Sequence, residues 1–377
     1  MLTFLHDLIA AAPIGIPAFI FVIAIVVFCH ELGHFLMARA CGVAVQTFSI
    51  GFGGEIFGWT DKKGTRWKVC WVPLGGYVMF AGDADATSTT ADPERLAKMT
   101  DEEKMRAYAM KPVWQRALVS AAGPVANFVL AFVMFAFLLG AFGARAPSTF
   151  VGGVQSKSPA AEAGIKPGDK ITAVNGQPVR LFGELVNAVQ TAKQKTLTLT
   201  IQRGAESQDL FVTPREIEIK DIFGGKEKAK AIGILRDDVN VQHAVWFRVP
   251  LLEVPQIAAY QCWAIAEGSL TYLWRIVSHR ADPSQLGGVI GMAQMAKSAA
   301  SHGFYDLIYL VAFISVSIGL INLFPIPLLD GGHLLYYACE GVLGRPLTER
   351  TQDVGFRLGL ALVIGLMIFA TWNDLVR

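Results

Sequence analysis

At 377 residues the chain has room for two or three domains. Its 53% hydrophobic and 17% charged residues argue against an ordinary soluble protein and point to long apolar runs. A net charge of +2, with no basic cluster interleaved with aromatics, gives no sign of a nucleic-acid partner.

Four apolar segments, at about 13–37, 118–142, 307–329 and 358–372, approach the roughly 20 residues that cross a bilayer core, the last being short for a span. No Lys or Arg precedes the first and no small-residue cleavage site follows it, so an uncleaved span is expected rather than a signal peptide. Between the first two lies loop 38–117. Its SIGFGGEIFGW and RWKVCWVPLGGYVMF flank a polar DKKGT turn and read as a β-hairpin, apolar and glycine-rich enough to dip toward the membrane. The polar stretch ADATSTTADPERLAKMTDEEK after it is expected to be mobile.

Residues 143–240 alternate short helix, turn and strand patterns: SPAAEAGI, KPGD, KITAVNG with an Asn-Gly turn, LFGELVNAVQTA and KTLTLTIQRG. They predict one small α+β domain. Cysteines Cys29, Cys41, Cys70, Cys262 and Cys339 include no C-x-x-C pair, so neither a disulfide framework nor a cysteine-type zinc site is expected. Residues 241–303 mix aromatic and apolar residues with sparse charge and predict amphipathic helices at the membrane surface, with a packing face for the neighbouring domain as the alternative. The last region, 304–377, holds the third and fourth spans. Nine Lys and Arg flank the spans on the side of loops 38–117 and 330–357, against four on the other. That bias places both termini and the α+β domain outside and those loops in the cytoplasm.

The chemistry concentrates in VVFCHELGHFL, residues 26–36. On a helix, His30 and His34 share one face about 6 Å apart, offering two corners of a tetrahedral zinc, and Glu31 beside them is suited to deprotonate a water. Left without a metal, three polar groups inside a span would be costly. For a third ligand Asp330 is the better candidate, because Pro325 and Pro327 break the third span and Asp330 closes that apolar run on the side of His34. Glu55 in the hairpin is the lesser alternative, and a cap on the following helix is the bland role for Asp330. His333 is a weaker candidate for a fourth ligand than for a surface role. Asn127, after Gly123 and Pro124 in the second span, reads as interhelical packing and hydrogen bonding.

HELGH in a first span, AAGPVANF (121–128) in a second and NLFPIPLLDGGH (322–333) in a third, in that order, resemble the site-2 protease family of intramembrane zinc metalloproteases. SIGFGG, WVPLGGYV and the single α+β domain resemble its bacterial branch, typified by the regulator of sigma-E protease. The resemblance covers essentially the whole chain. It implies a polytopic α-helical membrane protein of about four transmembrane helices, with a membrane-associated β-hairpin and one exported α+β PDZ-like domain. The domains would be 1–142 (including loop 38–117), 143–240 (PDZ-like), 241–303 and 304–377. It further implies one zinc per chain on His30, His34 and Asp330, Glu31 as general base, and Asn322 hydrogen-bonding the substrate backbone beside Pro325 and Pro327. The hairpin strand with Gly75, Gly76 and Tyr77 would pair edge-on with an unwound substrate. The implied activity is cleavage of single-span membrane proteins, such as anti-sigma factors or signal-peptide remnants, in a bacterial inner membrane with the site near the cytoplasmic side. A peptide or chain terminus would be the partner of the PDZ-like domain. Well-known members of this branch carry two tandem PDZ domains, and this chain has room for one. A membrane zinc transporter or sensor, or a PDZ scaffold with a non-catalytic zinc site, is the alternative from other classes; transport would want acids and histidines spread through several spans.

Overall fold

The computed structural model describes residues 2–83, 93–220, 226–237, 243–283 and 287–376. Along the chain run α1 (Leu2–Ala40), the strands β1 (Val45–Thr60) and β2 (Arg66–Phe80), the short helices α2 (Pro93–Lys98) and α3 (Asp101–Arg106), and α4 (Val113–Ala141). Then come β3 (Ala144–Ala146), β4 (Val151–Val154), α5 (Pro159–Glu162), β5 (Lys170–Val174), β6 (Gln177–Pro178), α6 (Phe182–Thr191), β7 (Leu197–Arg203) and β8 (Glu206–Val212). The strands β9 (Arg215–Lys220), β10 (Lys226–Ala231), β11 (Ile234–Arg236) and β12 (Val245–Phe247) follow. Five helices close the chain: α7 (Val254–Val277), α8 (Val289–His302), α9 (Phe304–Asn322), α10 (Asp330–Leu343) and α11 (Glu349–Val376). Two compact units result, residues 1–137, 255–266 and 284–377 in one and 138–254 with 267–283 in the other.

Among the described residues, four helical stretches are long and apolar enough to cross a membrane: Ile14–Ala40, Val113–Ala141, Phe304–Asn322 and Arg350–Val376. The fourth is longer than its apolar run alone predicts, because Arg350, Asp353 and Arg357 continue the helix ahead of it. The third stops at Asn322, seven residues before its apolar run ends, since Pro325 and Pro327 cannot continue a helix.

Helix α1 buries side chains at three- and four-residue spacing, the mark of a stripe facing protein. Val22 and Val26 pack with Ala296 and Ala299 of α8 and Val311 and Ile314 of α9. Further along, Phe35 and Ala38 join Phe48, Phe80, Tyr108, Val119 and Tyr337. Helix α8 is therefore a packing element of this unit, and its alanines allow close approach to α1. The side chain of Asp374 in α11 accepts from the backbone N–H groups of Gly288 and Gly291 at 2.9 Å each, capping the start of α8.

The hairpin is more folded than a simple two-stranded ribbon. Both strands bend where glycines at 51, 53 and 54 interrupt the register, so residues 45–50 lie between 76–80 and 66–69, and 66–69 also pair with 57–60. Phe48 accordingly faces Val78 on one side and Trp67 on the other. Of the polar stretch expected to be mobile, residues 93–98 and 101–106 are helical. A reciprocal capping box between Thr100 and Glu103 fixes the second of these helices, and residues 84–92 lie outside the described residues.

The second unit holds a four-stranded antiparallel sheet in the order β6-β5-β7-β8. Leu197, Leu199 and Ile201 alternate along β7 into a core shared with Ile171, Leu185 and Val189, the last two from α6. The β5–β6 turn has Asn175 at φ 49° and Gly176 at φ 77°, the positive pair a tight type I′ hairpin needs. Strand β11 returns to pair with β4, so residues 234–236 pack as part of this unit.

Candidate metal centre

Helix α1 places His30 and His34 one turn apart, and their rings meet edge to face with centroids 4.8 Å apart. Asp330 reaches them from another part of the chain. After α9 stops at Asn322, residues 323–329 run irregularly and α10 begins at Asp330 itself. Leu328 in this link holds φ 113°, a conformation that costs a non-glycine residue about 1–3 kcal/mol and persists only where its surroundings impose it. The Asp330 carboxylate also lies at the positive end of α10.

The three donor atoms converge. His30 Nε2 and His34 Nε2 are 3.2 Å apart, and Asp330 Oδ2 lies 3.1 Å from the first and 3.4 Å from the second. A tetrahedral zinc with bonds of about 2.0–2.1 Å would hold its ligands about 3.3 Å from one another. These residues therefore fit the ion in donor type and spacing. The side chains are 11%, 12% and 16% exposed, so they are sheltered without being sealed. His34 donates from Nδ1 to the carbonyl of Val119 at 2.8 Å, which leaves its Nε2 lone pair free. Among the described residues the metal-capable cluster is His30, His34 and Asp330. Glu55 is elsewhere, ion-paired with Arg66 across the hairpin. His333 packs against the rings of Tyr336 and Tyr337 and lies outside the donor set.

Around the three ligands, glycines let the backbone come close. A Cβ at Gly123 of α4 would run into the His34 imidazole, and one at Gly76 of β2 would lie 3.0 Å from Glu31 Cγ and 2.7 Å from the Ser49 carbonyl. Gly76 thus brings the hairpin against Glu31, which is within electrostatic reach of His30, His34 and Asp330. Gly75 holds φ 152° and fits only without a side chain beside Phe52. Tyr77 stacks on Phe52 with centroids 6.1 Å apart, under the ammonium of Lys68. Asn322 ends α9 with a half-buried side chain, Pro325 is exposed and Pro327 half-buried.

Several contributors were hidden from sequence reasoning. Val119 acts through its backbone, which no side-chain pattern reveals. Asn127 makes the interhelical hydrogen bond its sequence context suggests, but its partner is His30, which no local pattern names. Arg39, at the end of α1, grips Asp61 in the hairpin turn at 2.6 Å and Thr65 at 2.9 Å, tying the hairpin to the helix of the histidines. Tyr108 and Tyr337 share a 2.9 Å hydrogen bond and Arg116 pairs with Glu340 at 2.6 Å, holding α10 and so Asp330 against the start of α4.

Comparison with known proteins identifies the family. The profile of peptidase family M50 matches residues 18–366. A chain of Rhizobium meliloti whose name is that of a zinc metalloprotease is 43% identical over 96% of this chain and 96% of its own. The metalloprotease MmpA of Caulobacter vibrioides is 39% identical over 97% of this chain and 96% of its own. The PDZ domain of an SdrC-like protein from Listeria innocua aligns with 24% of this chain and 92% of its own at 25% identity, with a TM-score of 0.20 that establishes no shared fold. Two histidines one turn apart, an aspartate brought to them by a broken helix, and a family match over most of the chain lead to one conclusion: the chain belongs to peptidase family M50, the site-2 protease family, and is a multi-pass membrane zinc metalloprotease.

Proposed function

We propose that this metalloprotease cuts inside the membrane, within the transmembrane segments of single-span proteins, with His30, His34 and Asp330 holding the zinc and Glu31 as general base. One observation carries the reading: two of the three donors sit within a helical stretch of 27 residues apolar enough to cross a bilayer. Zinc bound there would lower the pKa of a water and polarise a scissile carbonyl. Glu31 takes the proton from the attacking water and delivers it to the leaving amine. A peptide bond in a helix is not open to attack, so the substrate unwinds first and its backbone needs new partners. Residues 76–80, with Gly75, Gly76 and Tyr77 at their start, pair on one side with 45–50 and on the other with no described strand. That free edge, beside Glu31, accepts the unwound segment by strand addition. Asn322, whose amide bonds no described residue, supplies a further hydrogen bond next to the Pro325–Pro327 break.

The orientation follows from the Lys and Arg bias: termini and the α+β domain outside, the metal centre near the cytoplasmic face of a bacterial inner membrane. The α+β domain is PDZ-like in its sequence and offers a site for a peptide or chain terminus. Purified wild type and Glu31→Gln, in detergent or liposomes, test the core of the reading. Both are expected to hold about one zinc while only wild type cuts a reporter carrying a helix-breaking single span. Zinc in both proteins with no cutting of such reporters by either would overturn the intramembrane substrate class and the role of Glu31.

A further inference from the structure

We infer that Asn127 is a positioning residue of the metal centre: its side-chain oxygen accepts the Nδ1 proton of His30 and thereby presents His30 Nε2 to the ion. The inference rests on the assignment of His30 as a ligand and extends it to α4. Asn127 is fully buried, and its amide nitrogen lies 3.2 Å from His30 Nδ1, while its Oδ1 is buried without a hydrogen-bond partner. A neutral imidazole carries one proton. If Nε2 is to bind a metal its lone pair must be bare, so the proton sits on Nδ1 and requires an acceptor. Among the described residues only the Asn127 amide bonds that nitrogen.

Nitrogen and oxygen of an amide are nearly isosteric, and their assignment follows from the network around them. With the amide turned over, Oδ1 accepts the Nδ1 proton that a metal-binding Nε2 requires. The opposite orientation has Nδ2 donating to a bare Nδ1 and forces the imidazole proton onto Nε2, where it competes with the metal. Helix α9 holds the residue in place: Ser315 Oγ donates to the Asn127 carbonyl at 2.8 Å, and a Cβ at Gly319 would come within 3.1 Å of the Asn127 Cβ. His34 takes its equivalent partner from the Val119 carbonyl of the same helix, so α4 orients both imidazoles.

The test is zinc affinity of full-length protein in detergent, measured by competition with a chromophoric chelator, together with thermal unfolding in excess chelator. Loss of a partner that orients a metal-ligating histidine costs about 10–100-fold in metal affinity. Asn127→Leu, which keeps the bulk and removes the acceptor, is expected to weaken zinc by that factor with unfolding in chelator unchanged. Asn127→Asp keeps an acceptor and raises the basicity of His30, so it is expected to bind zinc at least as tightly as wild type. A packing role alone predicts the reverse order, since Leu suits an apolar helix interface and a buried carboxylate does not. Wild-type affinity in Asn127→Leu overturns the inference, as does a folded Asn127→Asp that loses as much affinity as the Leu variant. Should Asn127→Leu fail to fold, Asn127→Asp decides against wild type: equal or tighter zinc supports the inference, and a folded Asp variant that loses about 10-fold or more overturns it. His30→Ala is the control: if it keeps wild-type zinc affinity the ligand assignment itself falls, a failure read without any Asn127 variant.

Discussion

Two β-structures in this chain use apolar residues in opposite ways. The four-stranded sheet of the second unit turns Leu197, Leu199 and Ile201 inward until none is exposed. The bent hairpin of the first unit buries Phe48 and Phe80 but leaves Phe57 62% and Trp71 71% exposed, alongside Ile56 and Trp59. A sheet built for water does not show a patch of that kind. The first sheet follows the rule of a soluble domain, where burial supplies the stability. In the second, burial on one side anchors the hairpin to α1, and the exposed outer face is the surface proposed above to meet lipid or an unwound peptide.

The contrast is open to breaking at three places. Leu199→Ala should have the largest effect, since deleting a fully buried leucine costs about 2–5 kcal/mol. Limited proteolysis of the full-length protein should show the α+β domain cut much faster while bound zinc stays at the wild-type level; zinc lost in parallel would mean the two structures are not separately stabilised. Acid should have a middling effect on both. Burial pushes the Asp169 carboxyl up, but two hydrogen bonds from Arg203 at 2.7 Å and the Lys166 N–H hold it below the usual carboxylate range. Burial opposes and the Thr65 N–H, Trp67 and Arg39 prevail in the same way at Asp61. A carboxyl with a depressed folded pKa stabilises fully above its unfolded value of about 3.9, and the contribution fades as pH falls through the folded value. Denaturation followed from pH 6 to pH 2 should therefore show an acid limb that Asp169→Asn and Asp61→Asn each flatten; variants as acid-sensitive as wild type would remove these carboxylates from the account. Trp71→Ser should have the smallest effect, within about 0.5 kcal/mol in detergent, as for a surface substitution. A thermal shift comparable to that of Leu199→Ala would mean the hairpin's outer face is structural after all.

Much of the candidate site was legible along the chain, because its first half is local. Helical spacing alone puts His30 and His34 on one face, with Glu31 between them in the sequence. Proline chemistry alone stops α9 before Asp330. Local signals were weaker where partners are remote: Glu55 stays a lesser alternative to Asp330 until Arg66 is seen to hold it, and the hydrogen-bond partner of Asn127 has no name until His30 is seen beside it.

Apolar spans face the same ambiguity. The first three are 33–44% buried within the protein and the fourth 6%, although their hydropathies differ little. Lipid and protein interior reward the same side chains, so composition marks a span without saying which of its faces meets protein. The sequence by itself determined the spans, the histidine pair and the places where helices cannot continue, since each depends on a few adjacent residues. Only the tertiary structure decided that Asp330 lies within 4.8 Å of both imidazoles, that α8 packs into the core with α1, and that Gly76 sets a strand edge against Glu31. Those are distances between segments far apart in the chain, set by close packing of small residues whose partners no local pattern can name.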